Sequence, residues 1–131
     1  MQIPLTIKET REGLIKKDFS ATELVDGYLA RIEASRDLNA YITISEEAAY
    51  KKADEIDKLI AGGDAEAIGK HALLGVTIGH KDLFLTKGIR TTAASKLLEG
   101  YIPAYSGTAV KRMDDEGGII LGKTNCDAWA H

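Results

Sequence analysis

The sequence has few of the residues that mark disulfide-rich, metal-binding or membrane-spanning proteins. Its one cysteine, Cys126, cannot form an internal disulfide, which fits a reducing cytoplasm. The three histidines, His71, His80 and His131, are scattered and show no metal-ligand spacing. No apolar run reaches the length of a membrane span, and the first residues lack the apolar stretch of a signal peptide. We therefore expect a cytoplasmic protein with no metal site and no membrane contact.

The sequence also has no excess of positively charged residues. The formal net charge at pH 7 is −3, so no overall basic field attracts nucleic acid. Hydrophobic residues make up 44% of the chain and charged residues 28%, which excludes bulk disorder. The 131 residues are enough for one compact domain with a core. Composition excludes these classes of protein, but it does not select an activity.

Residues 1–63 are expected to be mainly helical. Thr6 with Glu9, and Ser20 with Glu23, fit the capping-box pattern, in which a helix begins after the Ser or Thr. After Ser20, apolar residues recur at helical spacing and give the second helix one apolar face. These residues are Ala21, Leu24, Val25, Tyr28, Leu29 and Ile32.

A strand and a third helix complete this region. Residues 40–44 are rich in strand-forming side chains. A helix is expected after Ser45, with Glu46 and Glu47 in its positive first turn and an end at the glycines 62–63. Its apolar stripe consists of Ala49, Ala53, Ile56 and Ile60.

Residues 64–131 predict the beginning of an α/β sheet. Residues 73–80 are expected to form a buried strand, and residues 119–121 form another. Between them, Ser106 or Thr108 is expected to cap a helix. The apolar face of that helix consists of Ala109, Val110 and Met113. A strand, a crossover helix and a second strand are typical of a largely parallel sheet.

The run "GGIILGKT", residues 117–124, has the letters of a phosphate-binding loop. Such a loop follows a strand and precedes a helix, whereas here a charged helix end comes first and strand-forming residues fill the middle. The run therefore favours a helix, a Gly-Gly turn and a strand. The alternative, a nucleotide hydrolase, requires nucleotide binding that depends on Lys123.

Lys81 is the candidate catalytic residue, because it lies at the end of an apolar strand, where open α/β sheets place their sites. Side chains alternate along a strand, so His80 and Asp82 share one face while Gly79 and Lys81 share the other. A lysine acts as a base only when it is neutral, and burial away from carboxylates favours that form. The alternative, which the spacing alone favours, is a lysine in a structural ion pair.

Three residues beyond the strand are candidates for supporting the site. They are Thr91, Thr92 and Ser95. Asp82 is expected to anchor backbone or to orient this loop. Ser95 is a possible nucleophile by its nearness to a lysine, but a loop or cap role is favoured. The sequence assigns no substrate-binding residue.

Several motifs together resemble the amidase signature family. They are "GVTIGHKD", "TKGIRTTAAS", "YSGTAVKRM" and "GGIILGKTNCDAWAH". Within the family, the chain is most similar to the glutaminase (A) subunits of tRNA-dependent amidotransferases, since "SATELVDGYLARIEA" and "LNAYITISEEA" also fit. The resemblance implies the N-terminal part of an α/β fold with a mixed central sheet flanked by helices. Residues 1–131 are then one incomplete domain, with the sheet core starting after residue 63.

The resemblance also implies a mechanism that uses a serine, a second serine after a cis peptide, and a lysine. The family lysine matches Lys81, which takes a proton from the bridging serine, and this serine deprotonates the nucleophile. The nucleophilic serine attacks the side-chain amide of glutamine and releases ammonia. Both family serines fall after the position of His131, so the chain alone is expected to be inactive. Thr77 stands where family members usually have proline, and we expect only a local effect.

The implied partners are a B subunit together with a small C subunit. The B subunit uses ATP and Mg²⁺ to amidate Glu-tRNA(Gln) or Asp-tRNA(Asn) with the ammonia, and it makes most tRNA contacts. This chain is expected to hold no cofactor of its own. Two alternatives stay open: an amidase acting on small amides without tRNA, and a non-catalytic half of a split enzyme or an interaction module. In the last case, exposed strand edges favour pairing with another chain or self-association.

Overall fold

The computed structural model describes residues 3–130. His131, one of the three histidines considered as metal ligands, therefore lies outside the described residues. The helices are α1 Ile7–Lys16, α2 Ala21–Ala34, α3 Glu46–Gly62, α4 Ala65–Gly69 and α5 Thr108–Asp115. The strands are β1 Tyr41–Ile44, β2 Thr77–Lys81 and β3 Ile119–Thr124. Short 3₁₀ helices cover Arg36–Leu38, Lys96–Leu98 and Ala128–Ala130. Among the helices of residues 3–130, none combines the length and the apolar character needed to cross a membrane.

Local capping contacts start the first two helices where the sequence predicts. The Thr6 hydroxyl accepts a hydrogen bond from the Glu9 N–H at 3.1 Å, and the Glu9 carboxylate accepts one from the Thr6 N–H at 3.1 Å. Ser20 and Glu23 make the same reciprocal contacts at 3.0 and 2.8 Å. Each box satisfies N–H groups that have no partner within the helix. Both capping-box predictions are therefore confirmed.

The third helix has the predicted span, but no side chain caps its first turn as in the first two helices. Gly63 ends α3 with a φ of +70°, a conformation that glycine adopts at low cost. The Ser45 hydroxyl does not cap the helix; it donates to the Ile120 carbonyl at 2.8 Å. Ser45 thereby ties the start of α3 to the central strand of the sheet.

The main core lies between the first three helices and the sheet. The predicted stripe of α3 is buried throughout, and so is the first part of the α2 face. Tyr28, Leu29 and Ile32 are partly buried against the same cluster. The sheet contributes Ile119 and Leu121, which are buried against these helices. Burial of these apolar faces is the main force that holds the helical region on the sheet.

The sheet is mixed, as predicted. The strand order is β1-β3-β2, with β1 antiparallel to β3 and β2 parallel to β3. β1 comes from the mainly helical first half, and it pairs with the last strand. Tyr41 and Lys81 both lie opposite Thr124 in the register, one on each side of it. The beginning of β1 and the ends of β2 and β3 therefore meet at one edge of the sheet.

The expected strand at residues 73–80 starts later than predicted, at Thr77. Gly75 has a φ of +71°, and its N–H donates to the Gly117 carbonyl at 2.9 Å. Leu73 also donates to the Glu116 carbonyl. These bonds hold the apolar residues before Thr77 in turns, so their hydrophobicity reflects burial and not strand geometry.

The crossover helix also differs in its details. Gly107 occupies the N-cap of α5, and no side chain caps the helix, so the prediction of Ser106 or Thr108 is wrong. The Ser106 hydroxyl instead accepts from the Lys87 N–H at 3.0 Å. Of the predicted apolar face, only Val110 is buried. The helix therefore contacts the sheet through a narrower face than the sequence suggested.

Residues 117–124 form no phosphate-binding loop. Helix α5 ends at Asp115, Gly117 turns the chain with a φ of +86°, and the residues from Ile119 to Thr124 are all in strand β3. Their backbone N–H groups point along the sheet plane and not toward a common anion. The predicted helix, Gly-Gly turn and strand are confirmed, although the strand continues to Thr124.

A β-bulge in β3 changes which side chains face each other. Ile78 lies opposite Ile120, but the next residue, Gly79, lies opposite Gly122. Leu121 is therefore the extra residue of a bulge, and every pair beyond it shifts by one position. His80 consequently faces Lys123, and the side of β2 that carries His80 receives a lysine from β3.

Gly79 and Gly122, on neighbouring strands, leave room for the Tyr41 ring because they have no side chains. A Cβ atom at Gly122 would lie 2.3 Å from the Thr43 carbonyl oxygen and 3.1 Å from Tyr41 Cδ1. A Cβ atom at Gly79 would lie 2.9 Å from the Tyr41 hydroxyl oxygen and 2.8 Å from Thr124 Cγ2. The close approach of β1 to β3 therefore depends on the missing side chains.

We predict that Gly122→Ala destabilises the protein, because β1 has to move away from β3. The free energy of unfolding, measured by urea denaturation followed by circular dichroism, should fall by about 1–3 kcal/mol. Gly62→Ala is the control, since a Cβ there meets nothing within 4 Å. That control should leave stability unchanged or raise it by up to about 1 kcal/mol. Equal effects of the two changes would contradict the argument.

Candidate active site

Lys81 lies at the end of β2 in an ion pair whose partner the sequence analysis did not identify. Its Nζ is 3.1 Å from Asp127 Oδ1, and the two side chains are 43% and 41% exposed. Lys81 is therefore neither buried nor away from carboxylates, and residues 3–130 show the ion-paired alternative that its spacing favours. The sequence argument considered only the neighbouring Asp82, whereas Asp127 comes from the segment after the adjacent parallel strand. The hydrogen bond from Lys81, and then one from its own backbone, holds the pKa of Asp127 below its ordinary value.

Asp82 points away from Lys81, as the alternation of side chains predicts. It is fully buried, and its Oδ2 accepts hydrogen bonds from the Thr92 N–H at 3.1 Å and from the Thr92 hydroxyl. The Asp82 carbonyl also accepts from the Ala93 N–H at 2.9 Å. Asp82 therefore anchors the loop after the strand, which is the contact expected for it.

Lys123 is the partner that the sequence analysis missed. It is fully buried, and its Nζ lies 3.7 Å from Asp82 Oδ1. It also donates to the Thr91 hydroxyl at 2.8 Å and to the Phe84 carbonyl. One ammonium thus joins the end of β2, strand β3 and the following loop. The available signal was a lysine within a strand of apolar residues, since a fully buried lysine needs a charged partner.

Burying the charged ammonium of Lys123 costs free energy, because the group loses its contact with water. Burial lowers the pKa of Lys123, while the nearby negative charge of Asp82 opposes that change. Taking two charges out of water is expensive, and their attraction repays the cost only while both partners are present. The Asp82–Lys123 pair is therefore sensitive to the loss of either member.

His80 belongs to the same buried side of the sheet. It is 5% exposed, and its Nε2 has no hydrogen-bond partner among residues 3–130. Its ring meets the Phe84 ring edge-on, with centroids 6.4 Å apart. Burial, and then the positive charge of Lys123, lowers the pKa of His80. His80 is thus a neutral packing residue on the face opposite Lys81, as the sequence predicts.

The loop after β2 is held in an unusual backbone conformation. Ala93 and Ala94 have φ values of +50° and +51°, in the left-handed region that non-glycine residues rarely adopt. Ser95 caps the next 3₁₀ helix, since its hydroxyl accepts from the Leu97 N–H at 3.3 Å. A loop or cap role for Ser95 is therefore confirmed. The Trp129 N–H donates to the Ala93 carbonyl at 3.1 Å, which docks the segment after β3 onto this loop.

The structure thus separates the predicted site residues into two groups. Thr91 and Thr92 are buried with Asp82 on one side of β2. Lys81 lies on the other side with Asp127. The threonines support the loop and do not contact the lysine. Within residues 3–130, no group of three or more His, Cys, Asp or Glu side chains is placed to hold a metal ion.

A cavity lies on the outer side of β1, beside residues that follow β2. It has a volume of about 810 Å³ and lies between the start of α3 and residues 87–90. Arg90 lines it, with Nε donating to the Thr43 hydroxyl at 3.1 Å and Nη2 to the Ile42 carbonyl at 3.0 Å. Arg90 thereby covers the outer edge of β1. Its lining includes none of the site residues that the sequence predicts.

Comparison with known proteins relates the chain to enzymes that act on amides. The family model described as Amidase matches residues 23–131. The chain is 45% identical over 127 residues to the A subunit of glutamyl-tRNA(Gln) amidotransferase from Granulibacter bethesdensis, covering 96% of this chain and 24% of the relative. The corresponding protein from Geotalea daltonii is also 45% identical over 127 residues, with 96% and 25% covered. The chain therefore spans about a quarter of the length of these curated relatives.

A solved structure supports the fold. The native peptide amidase from Stenotrophomonas maltophilia superposes with a TM-score of 0.86 at 29% identity, covering 97% of this chain and 26% of that one. This likeness extends over both the helical region and the sheet. It confirms the predicted α/β architecture with a mixed sheet flanked by helices.

We predict that Lys123→Met is strongly destabilising, because it leaves the Asp82 carboxylate buried without its charged partner. The free energy of unfolding in urea should fall by about 3–5 kcal/mol. Lys111→Met is the control, since Lys111 pairs with Asp115 in an exposed helix pair. That change should cost less than about 1 kcal/mol. Combining Lys123→Met with Asp82→Asn should cost less than the sum of the single changes, and strict additivity would contradict the pairing.

We predict that stability falls as the pH drops below about 6.5, because the unfolded chain then binds a proton that the folded protein excludes from His80. The folded pKa of His80 is the lower one, so its contribution is present above the unfolded pKa and is lost on acidification. Urea denaturation between about pH 7.5 and about pH 5.5 measures this slope. His80→Leu should flatten it. An unchanged slope in the variant would show that other groups cause the loss.

Proposed function

The chain belongs to the amidase family, and from that premise we propose that it is the lysine-bearing part of a glutamine-hydrolysing amidotransferase subunit. The observation that carries the proposal is the 45% identity to amidotransferase A subunits along 96% of the chain. The position of Lys81 supports it, because the side chain lies at the carboxyl edge of the parallel strand pair, where α/β enzymes place catalytic groups.

In the proposed reaction Lys81 is the general base. It accepts a proton, through a bridging serine, from the nucleophilic serine, both residues belonging to the longer protein that this proposal assumes. The serine oxygen forms a bond to the amide carbon of glutamine, and the carbon–nitrogen bond breaks. The nitrogen takes up a proton and leaves as ammonia, and water then hydrolyses the acyl-enzyme to glutamate.

The buried contacts of the chain support this role by fixing the position of Lys81. Asp82 follows Lys81 directly and is held by Lys123 and Thr92. The Asp82 N–H also donates to the Thr124 carbonyl at 3.0 Å, which extends the pairing of β2 and β3 past Lys81. A catalytic group works best when its backbone is rigid, and these contacts provide that rigidity.

The proposed setting is a cytoplasmic complex with B and C subunits. In it, ammonia passes to the B subunit, which uses ATP and Mg²⁺ to amidate Glu-tRNA(Gln) or Asp-tRNA(Asn). The net charge of −3 fits a chain that leaves most tRNA contacts to its partner. The free thiol of Cys126 fits a reducing compartment.

A second candidate function is hydrolysis of small amides without tRNA. The structural likeness to the peptide amidase, with a TM-score of 0.86, favours it, because that enzyme has the same fold around this edge of the sheet. The two candidates share the base and differ in substrate and partners. Activity without B and C subunits on simple amides would favour the second candidate.

We predict that Lys81 is required for glutamine hydrolysis. The test uses a chimera in which this chain replaces the matching quarter of the Geotalea daltonii protein, produced with the B and C subunits of that organism. The chimera should release glutamate from glutamine and form Gln-tRNA(Gln). Lys81→Ala should lower kcat by about 10²- to 10⁴-fold, the range for loss of a general base.

The matched control for this prediction is Lys87→Ala, at an exposed lysine in the loop after the strand. That variant should keep its turnover and its assembly with the partner subunits. Full activity of the Lys81→Ala chimera would remove Lys81 from the mechanism. Hydrolysis of simple amides together with failure to form Gln-tRNA(Gln) would favour the second candidate.

A further inference from the structure

We propose that Asp127 is a positioning residue that holds the ammonium of Lys81 at the sheet edge, and that Lys81 acts as a base only after this pair opens. The inference deepens the proposed function and rests on it for its catalytic meaning. The contact itself stands on geometry, since the two charged atoms are 3.1 Å apart.

The path of the chain brings Asp127 to Lys81. Lys81 lies opposite Thr124 in adjacent parallel strands, so the residues that follow Thr124 emerge beside the lysine. The segment is held on both sides of Asp127. Before it, the Asn125 N–H donates to the Ala40 carbonyl at 2.8 Å, and after it the Trp129 N–H donates to the Ala93 carbonyl at 3.1 Å. The carboxylate is therefore fixed near Lys81 by its own backbone.

The other titratable groups near Lys81 are committed elsewhere. Asp82 is buried on the opposite side of β2 with Lys123. His80 lies on that side as well, against Phe84. Tyr41 shares the face of Lys81, but its hydroxyl lies over Gly79, and burial raises the pKa of Tyr41. Among the described residues, Asp127 is the carboxylate that pairs with Lys81.

The exposure of the pair makes it reversible. Ion pairs in contact with water contribute little to stability, so a hydroxyl partner replaces the carboxylate at small cost. While the pair is closed, the ammonium of Lys81 lies against the Asp127 carboxylate and is not free to contact a hydroxyl. Asp127 thus keeps Lys81 in position until that partner arrives.

The test measures how fast Lys81 reacts with acetic anhydride, since only a neutral amine is acylated. The 131-residue chain is labelled at about pH 8 in low salt, and mass spectrometry follows each lysine. Asp127→Asn should raise the labelling rate of Lys81 by about two- to fivefold, as expected for loss of an exposed ion pair. High salt should raise the rate of the unmodified chain toward that of the variant, and should leave the variant itself unchanged.

Glu66→Gln is the matched control, because Lys70 and Glu66 form an exposed pair at 2.8 Å on helix α4. It should change the labelling of Lys70 and leave Lys81 unaffected. A Lys81 rate that responds neither to Asp127→Asn nor to salt would overturn the inference, whatever the Lys81→Ala chimera does. An active Lys81→Ala chimera would overturn the proposed function and leave the labelling result intact.

Discussion

The buried ion pair between Asp82 and Lys123 is the contact on which the arrangement of this sheet edge depends. Both side chains are fully buried, so neither charge has water as an alternative partner. Through Thr91, Thr92 and the Phe84 carbonyl, the pair holds two separate parts of the chain that follows β2. The left-handed residues Ala93 and Ala94 lie directly after these contacts, and their backbone strain requires such support.

Two lysines at this edge have opposite environments and therefore opposite properties. Lys123 is enclosed, and separating it from Asp82 would leave a bare charge in a medium of low dielectric. Lys81 is close to solvent, and its contact with Asp127 is easily exchanged. The first arrangement suits a permanent structural contact, and the second suits a group that changes partners. The residue that a sequence motif makes conspicuous for phosphate binding, Lys123, is in fact the structural one.

Local signals in the sequence were enough to predict much of this fold. Capping boxes at Thr6 and Ser20 and the apolar stripe of α3 specify helices through contacts within a few residues. The place of Lys81 at a strand end followed from the apolar run before it. The partners of the two lysines did not follow, because they depend on pairing between distant segments. The bulge at Leu121 turns Lys123 toward His80, and the parallel register of β2 and β3 brings Asp127 to Lys81. Neither contact leaves a periodic signal in the sequence.

The packing of the Tyr41 ring restricts which substitutions this sheet can accept during evolution. Its ring lies above Gly79 and Gly122, so a methyl group at position 79 would collide with the tyrosine hydroxyl and one at position 122 would crowd the ring. Alanine at position 79 needs more room at both Tyr41 and Thr124, because its Cβ atom would lie 2.9 Å from the Tyr41 hydroxyl oxygen and 2.8 Å from Thr124 Cγ2. Positions 41, 79 and 124 share one volume, so they should vary together among descendants of this sequence.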